Sequence, residues 1–134
     1  MAGYSKTPLF RKLGLPGSGR AVLVDAPAGF VKALGPLPKD LKLGTRLTTG
    51  LAYIHAFVRS NARLHDVLPR AARALAKDGT LWISWPKQAS GLATDFREGE
   101  VRACGLAAGL VDVKICAVDE IWSGLKFVYR LRDR

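Results

Sequence analysis

The sequence predicts an α/β fold in one domain, with a mostly parallel sheet covered by helices on both faces and an antiparallel strand at its C-terminal end. The chain has 134 residues, of which 49% are hydrophobic, so it is long and apolar enough to bury a core of its own. Continuous apolar runs alternate with segments of helical spacing, which is the order that a parallel sheet with helical crossovers produces. Only about five residues separate the last two runs, too few for a parallel crossover, so those strands are expected to be antiparallel neighbours.

The first part of the chain predicts short helices between strands. Residues 1–6 are expected to form a loose arm, and Thr7-Pro8 fits the start of a helix that ends at Gly14. Residues 20–25 are too uniformly apolar for a half-exposed strand and predict a buried parallel one. The elements expected next are a short helix over residues 29–34, a weaker strand at or near an edge with Leu41, Leu43 and Leu47, and a strand over residues 51–58.

The second part of the chain has stronger patterns. Ser60 is expected to cap a helix in which apolar residues recur at helical spacing, and Gly79 is expected to end that helix in the left-handed conformation. The elements expected after it are a strand over residues 80–84, a helix over residues 98–108 that ends at Gly109, and strands over residues 110–118 and 121–131.

Composition and charge exclude several classes of protein. The apolar fraction is too high for a disordered chain, and no stretch approaches the ~18 uninterrupted apolar residues of a membrane span. The first residues lack the apolar core of a secretion signal, so the protein is expected to stay in a reducing cytoplasm. Its two cysteines, Cys104 and Cys116, are then expected to be thiols among apolar neighbours.

The arrangement of the predicted strands resembles a methyltransferase. A parallel sheet that ends in a hairpin, preceded by the segment at residues 75–83, is similar to the second half of a Rossmann-like methyltransferase. The resemblance implies a single three-layer Rossmann-like domain over residues 1–134, with the spatial strand order 2-1-3-4-6-5 and strand 6 antiparallel.

Short motifs add a second resemblance. The most specific are Ser84-Trp85-Pro86-Lys87 and the run from Asp119 through Trp122-Ser123-Gly124-Leu125; two shorter stretches, at residues 3–9 and 109–114, accompany them. These stretches resemble a family of short bacterial proteins classified as a domain of unknown function. That family implies no substrate and no catalytic residue.

The motif that binds S-adenosylmethionine in such folds is missing. A Rossmann-like nucleotide site needs a glycine-rich turn after strand 1 and an acidic residue at the end of strand 2 that binds ribose hydroxyls. Here strand 1 is followed by Asp25-Ala26-Pro27-Ala28-Gly29, and strand 2 by Arg46 and residues 47–50, without a carboxylate. The paired glycines Gly17 and Gly19 precede strand 1 and therefore lie at the opposite end of the sheet. We expect no bound cofactor.

Polar and aromatic residues concentrate where the strands are expected to end. Ligands of parallel sheets bind at the carboxyl ends of the strands, and the last hairpin turns at this same edge. Aromatic surfaces, cations and carboxylates there suit a small anionic or amphipathic ligand. The residues expected on this rim are Asp25, Pro27, Arg59, Ser60, Ser84, Trp85, Lys87, Asp119, Glu120, Trp122 and Ser123.

Each rim residue also has a structural interpretation. The tryptophans could complete a core, Lys87 could pair with a carboxylate and Asp119 could cap a turn. Ser84 lacks the Gly-x-Ser-x-Gly elbow of a hydrolase, so a catalytic triad is not expected. His55 fits a core histidine whose hydrogen bonds are satisfied, and His65 a solvated helix face. Neither stands at metal-binding spacing from a cysteine, so no metal site is expected.

These observations leave three functional hypotheses. The leading one is a non-catalytic domain that binds a protein partner or a small anionic ligand along the rim. The first alternative is a divergent S-adenosylmethionine-dependent methyltransferase. The second is a basic nucleic-acid-binding protein, suggested by a net charge of +10 and by a basic stripe through Arg59, Arg63, Arg70 and Lys77, without interleaved aromatic residues.

Overall fold

The computed structural model describes residues 7–92 and 94–134, and the described chain folds around one six-stranded sheet. The predicted arm at residues 1–6 lies outside the described residues. The strands are β1 (Ser18–Val24), β2 (Asp40–Gly44), β3 (Leu51–Phe57), β4 (Leu75–Pro86), β5 (Leu110–Ala117) and β6 (Trp122–Tyr129). The helices are α1 (Leu9–Lys12), α2 (Phe30–Leu34), α3 (Asn61–Ala74) and α4 (Glu98–Ala107), with 3₁₀ turns at Gln88–Ser90 and Leu131–Asp133.

The sheet has the order β2-β1-β3-β4-β6-β5, which confirms the predicted strand order. β2, β1, β3 and β4 pair in parallel, whereas β6 is antiparallel to both of its neighbours, β4 and β5. The predicted edge position of β2 is also confirmed. The short β5–β6 connection enforces this arrangement, because a parallel crossover needs a dozen or more residues.

Alternating side chains of the strands build a core on each face of the sheet. Val22, Ile54 and Ile83 point to the face covered by α3 and α4. Tyr53 and Trp82 belong to the other face, which α1 and α2 cover. The indole nitrogen of Trp82 donates a hydrogen bond of 2.7 Å to the carbonyl of Leu13, just after α1. The α/β prediction with helices on both faces is therefore correct.

The predicted end of the central helix is wrong. Ser60 caps α3 as expected, since its Oγ accepts a hydrogen bond from the backbone N–H of Arg63 at 3.1 Å. The helix ends at Ala74, however, and Gly79 lies within β4 without a positive φ. Leu75 already pairs with Leu51, and the chain bulges before Thr80 pairs with Tyr53. Sheet pairing therefore overrides the helical pattern in the residues before Gly79.

Gly79 is nevertheless a required glycine, for a steric reason. A Cβ atom added there would lie 2.7 Å from Cδ1 of Leu75 and 2.9 Å from the carbonyl oxygen of Leu51. The bulge packs directly against β3 and leaves no space for a side chain. The other two helix ends predicted at glycines do have a left-handed glycine, with φ of +75° at Gly14 after α1 and +90° at Gly109 after α4.

Candidate functional site

The carboxyl ends of the parallel strands form one edge of the molecule, and the turn between β5 and β6 lies at this edge too. Two cavities open along it. The first, which we call the β1–β2 cavity, has a volume of about 770 Å³ and lies where β1 and β2 end. The second, the β4–β6 cavity, has a volume of about 930 Å³ and lies beside the end of β4 and the start of β6 and α4. Both are of the size that small ligands occupy.

The β1–β2 cavity combines apolar walls with arginine side chains. Its apolar lining comes from β1, α2 and the region after β2, and includes Leu23, Val31 and Leu47. Val31 is 51% exposed, which is unusual for a valine and leaves apolar surface open in the cavity. The charged side chains that line the cavity are Asp25, Arg46, Arg63 and Arg70.

A network of ion pairs fixes two of these arginines. Nε and Nη2 of Arg63 donate to Oδ2 of Asp25 at 3.1 and 2.9 Å, and Nη1 donates to Oδ2 of Asp66 at 2.9 Å. Arg70 donates to the same oxygen of Asp66 at 3.2 Å. Arg46 is exposed and makes no ion pair or hydrogen bond with any described residue. The cavity therefore holds three guanidinium groups, one of which has no partner in the described chain.

Asp25 has a strained backbone. Its φ of 55° is the only positive φ of a non-glycine residue in the described chain, and only glycine adopts this region without cost. Such strain persists where surrounding contacts hold the residue, and here the two hydrogen bonds from Arg63 hold its carboxylate. The turn after β1 thus places a carboxylate at the cavity instead of the bare backbone of a glycine loop.

The β4–β6 cavity contains another part of the predicted rim. Trp85, Lys87 and Ser123 line it. Pro86 pairs with Trp122 across the two strands, and the N–H of Lys87 donates to the carbonyl of Ile121 at 2.7 Å. The expectation that the two tryptophan motifs face each other is therefore correct. Lys87 makes no ion pair with Asp119, Glu120 or any other described residue.

Two aromatic residues and an arginine stack at the same edge. The ring of Trp122 meets that of Phe57 edge-to-face at 5.1 Å, and Cζ of Arg59 lies 5.2 Å from the Trp122 ring centroid. Trp122 is buried, so its ring packs against Arg59 and is not accessible to a ligand. Arg59 therefore does not continue the predicted basic stripe of α3, and neither does Lys77, whose Nζ lies 4.1 Å from the ring centroid of Tyr129.

Seven of the eleven predicted rim residues line neither cavity: Pro27, Arg59, Ser60, Ser84, Asp119, Glu120 and Trp122. Ser84 is completely buried, and its Oγ contacts His55 on the neighbouring strand. The carboxylate of Asp119 accepts hydrogen bonds of 2.8 Å from the N–H groups of Ile121 and Trp122, which makes it the cap of the β5–β6 turn. Glu120 is exposed in the same turn and lines neither cavity.

Ser84 belongs to a buried chain of polar groups. Oγ of Ser84 lies 2.6 Å from Nε2 of His55, and the hydroxyl oxygen of Tyr53 lies 3.1 Å from Nδ1. A neutral imidazole donates through one nitrogen and accepts through the other, so it satisfies both hydroxyls. Burial lowers the pKa of His55 from 6.5 to about 3 and raises the pKa of Tyr53 well above 10. The chain is structural, as expected for His55.

The remaining chemistry-bearing side chains form no further site. His65 is exposed, and its Nδ1 lies 3.8 Å from Sγ of the buried Cys104, whose pKa is raised by burial. No group of three or more His, Cys, Asp and Glu side chains in the described ranges is placed to hold a metal ion. Every helix within the described residues falls short of the length and apolar content that a membrane crossing needs.

Comparison with solved structures identifies the fold. A TehB-like SAM-dependent methyltransferase from Corynebacterium glutamicum is 12% identical, with a TM-score of 0.57 over 96% of this chain and 91% of its own. CalO1, a methyltransferase in calicheamicin biosynthesis with SAH bound, is 13% identical, with a TM-score of 0.62 over 91% of this chain and 52% of its own. Magnesium protoporphyrin IX methyltransferase from Synechocystis PCC 6803 is 11% identical, with a TM-score of 0.60 over 91% of this chain and 74% of its own.

These similarities establish a Rossmann-like methyltransferase fold. At such low sequence identity they do not extend to activity or ligands. No family model matches the chain, and no curated protein matches it. The resemblance to the short bacterial family therefore stays a prediction, whereas the methyltransferase-type architecture is confirmed.

The residues of the β1–β2 cavity do not fit S-adenosylmethionine. Where Rossmann-like nucleotide sites have a carboxylate for the ribose diol, after the second strand, this chain has Arg46. The cofactor also carries a positive sulfonium, which the guanidinium of Arg46, without a partner among the described residues, disfavours. Ala26 and Pro27 put side-chain atoms where close backbone approach is needed, and only Gly29, with φ of +85°, has a glycine-specific conformation in this turn.

Sequence reasoning missed Arg46 and Arg70 as site residues. The sequence locates Arg46 after strand 2 and Arg70 in a basic stripe. It predicts neither residue at a ligand site. The signal for Arg46 was the missing carboxylate itself, since the cation occupies the position that the acidic residue would take. Arg70 could be recognised only once α3 is placed at the carboxyl ends of β1 and β2, which no local pattern encodes.

Proposed function

We propose that the protein is a methyltransferase-fold binding protein that holds a small, partly apolar anion in its β1–β2 cavity and transfers no methyl group. The observation that carries this proposal is the guanidinium of Arg46, which has no partner among the described residues and lines the same cavity as Arg63 and Arg70. Guanidinium groups bind carboxylate and phosphate through two parallel hydrogen bonds. Apolar side chains that line the same cavity supply the surface for the rest of the ligand.

The ion pairs of the cavity support binding by a prepared site. Asp25 and Asp66 hold Arg63 in one orientation before any ligand arrives, so less side-chain entropy is lost on binding. The carboxylates of Asp25 and Asp66 pair with Arg63 and Arg70. Arg46 adds a further positive charge to the cavity. A ligand anion would compensate that charge. The sequence predicts a small anionic ligand at this edge, and of the residues predicted for it only Asp25 lines the β1–β2 cavity.

A second candidate is an S-adenosylmethionine-dependent methyltransferase. The specific observation in its favour is the likeness to methyltransferase structures over more than 90% of this chain, two of them with SAM or SAH bound. The β4–β6 cavity, with Trp85 and Lys87, would then offer space for a methyl acceptor near the cofactor. The composition of the β1–β2 cavity disfavours this candidate. Calorimetric titration with S-adenosylmethionine and S-adenosylhomocysteine distinguishes the two.

The test of the proposed function combines calorimetry with native mass spectrometry of protein purified gently from its own host. We expect no saturable heat with either adenosyl compound and a retained small anion in the mass spectrum. The Arg46→Gln variant should lose that adduct, whereas Arg73→Gln, on α3 but outside the cavity lining, should retain it. Saturable micromolar binding of S-adenosylmethionine would instead establish the second candidate. Binding to nucleic acid that falls steeply with salt would support the third hypothesis.

A further inference from the structure

The position of Arg46 in the sheet points to the chemical class of the ligand. In Rossmann-like nucleotide sites, the end of the second strand lies beside the ribose. A carboxylate there accepts hydrogen bonds from ribose hydroxyls, whereas an arginine accommodates a phosphate on the ribose. β2 pairs in parallel with β1 and ends at Gly44, and Arg46 follows two positions later at the mouth of the β1–β2 cavity. Arg46 therefore occupies the position at which such sites bind a phosphate on the ribose.

We propose that the ligand of the β1–β2 cavity is a ribonucleotide that carries a phosphate on the 2′ or 3′ oxygen of its ribose, and that Arg46 binds this phosphate. The inference rests on the proposed function and makes it specific. A phosphate carries more negative charge than a carboxylate and matches the fork of a guanidinium group. Arg46 has all of its donors available, because it makes no hydrogen bond within the described chain. Arg70 adds a second cation, held by a single bond of 3.2 Å to Asp66.

The other groups of the cavity suit a nucleoside. Oδ2 of Asp25 is used by Arg63, whereas Oδ1 takes part in no hydrogen bond within the described residues and can accept one from a ribose hydroxyl. Thr45, which lies between the end of β2 and Arg46 in the chain, also lines the cavity. The exposed face of Val31 and the side chain of Leu47 provide apolar surface for a base. A volume of about 770 Å³ holds a nucleotide.

The test is a calorimetric titration of the full chain with four probes at low salt: adenosine, adenosine 2′-monophosphate, adenosine 3′-monophosphate and inorganic phosphate. We expect at least one ribose-phosphorylated nucleotide to bind about tenfold or more tightly than adenosine and than inorganic phosphate, because both halves of the ligand contribute. Arg46→Gln should lose that tenfold preference for the phosphorylated nucleotide. The matched control is Arg73→Gln, which should behave as the unmodified protein.

Different failures have different meanings. Equal binding of adenosine and its phosphates, or full affinity of Arg46→Gln for the nucleotide, would overturn the role of Arg46. If none of the four probes binds while native mass spectrometry detects another anion that Arg46→Gln loses, the nucleotide inference is wrong and the proposed function stands. If no anion is retained and S-adenosylmethionine binds, both are wrong. Thermal unfolding of Arg46→Gln, expected at the same midpoint because the side chain is exposed, controls for folding.

Discussion

Nε2 of His55 lies 2.6 Å from Oγ of Ser84 in the completely buried interface between β3 and β4. Phe57 stacks on the imidazole with a centroid distance of 4.4 Å, and Phe30 contacts it edge-on at 5.2 Å. The imidazole is therefore enclosed by rings and hydroxyls, with no carboxylate among these neighbours to stabilise a positive charge. Ser84, which the sequence predicts on the ligand-binding rim, therefore belongs to a buried polar cluster of the core.

This burial predicts that acid destabilises the fold. The pKa of His55 is lowered from 6.5 to about 3, so the unfolded chain binds a proton below pH 6.5 that the folded chain does not. The free energy of unfolding should fall by roughly 1.4 kcal/mol per pH unit as the pH drops from 6.5 toward 4.5. Denaturant unfolding at a series of pH values measures this slope.

The matched variants for the pH series are His65→Gln and His55→Gln. His65 is exposed, so its replacement should leave the slope in place. His55→Gln should be less stable at neutral pH and have a flatter profile. A slope that persists in a folded His55→Gln protein would assign the acid sensitivity to other groups.

We predict that Gly79→Val destabilises the protein because of steric overlap. The new Cβ would lie within 3.0 Å of Leu75 and of two backbone oxygens, and backbone atoms cannot move aside without breaking the β3–β4 pairing. The loss should be about 1–3 kcal/mol or more by chemical denaturation. Gly17→Val is the control, because nothing lies within 4 Å of a Cβ there and its φ is not positive. Equal midpoints for the two variants would contradict the packing at the bulge.

Replacement of Lys87 by alanine should leave stability nearly unchanged. Lys87 makes no ion pair in the described chain, so its removal leaves no carboxylate unpaired, and the expected change is below about 1 kcal/mol. A loss of several kcal/mol in a thermal melt would mean that the lysine pairs with a buried acid in solution. Because Lys87 lines the β4–β6 cavity, the same variant should also retain any ligand of the β1–β2 cavity.

Asp119 and its neighbour Glu120 should differ in their effects on stability. Asp119→Ala removes both hydrogen bonds that cap the β5–β6 turn and should cost about 1 kcal/mol, whereas Glu120→Ala should have little effect. Asp119→Asn keeps an acceptor oxygen and should recover most of the loss. Thermal melts of the three variants measure this. Equal midpoints for Asp119→Ala and Glu120→Ala would remove the structural role of Asp119.

The sequence by itself determined the order of elements and the antiparallel pairing of the last two strands, whereas the full strand order was implied by the resemblance to Rossmann-like methyltransferases. Continuous apolar runs define β1, β3 and β4, and the short connection before Trp122 permits only an antiparallel β6. The edge at which a ligand could bind followed from the same topology, since all parallel strands end on one side. These features depend on local periodicity and on connection lengths, which the order of residues in the chain specifies.

Only the tertiary structure decided which side chains reach that edge. Ser84 and Trp85 are adjacent in sequence, yet the pleat of β4 sends Ser84 to His55 and Trp85 to the opposite core. Likewise, Arg46 and Arg70 share a cavity because the Arg63–Asp25 ion pair joins α3 to the turn after β1, and β1 pairs with β2. Register and helix placement depend on contacts between distant segments, so a pattern of neighbouring residues does not encode them.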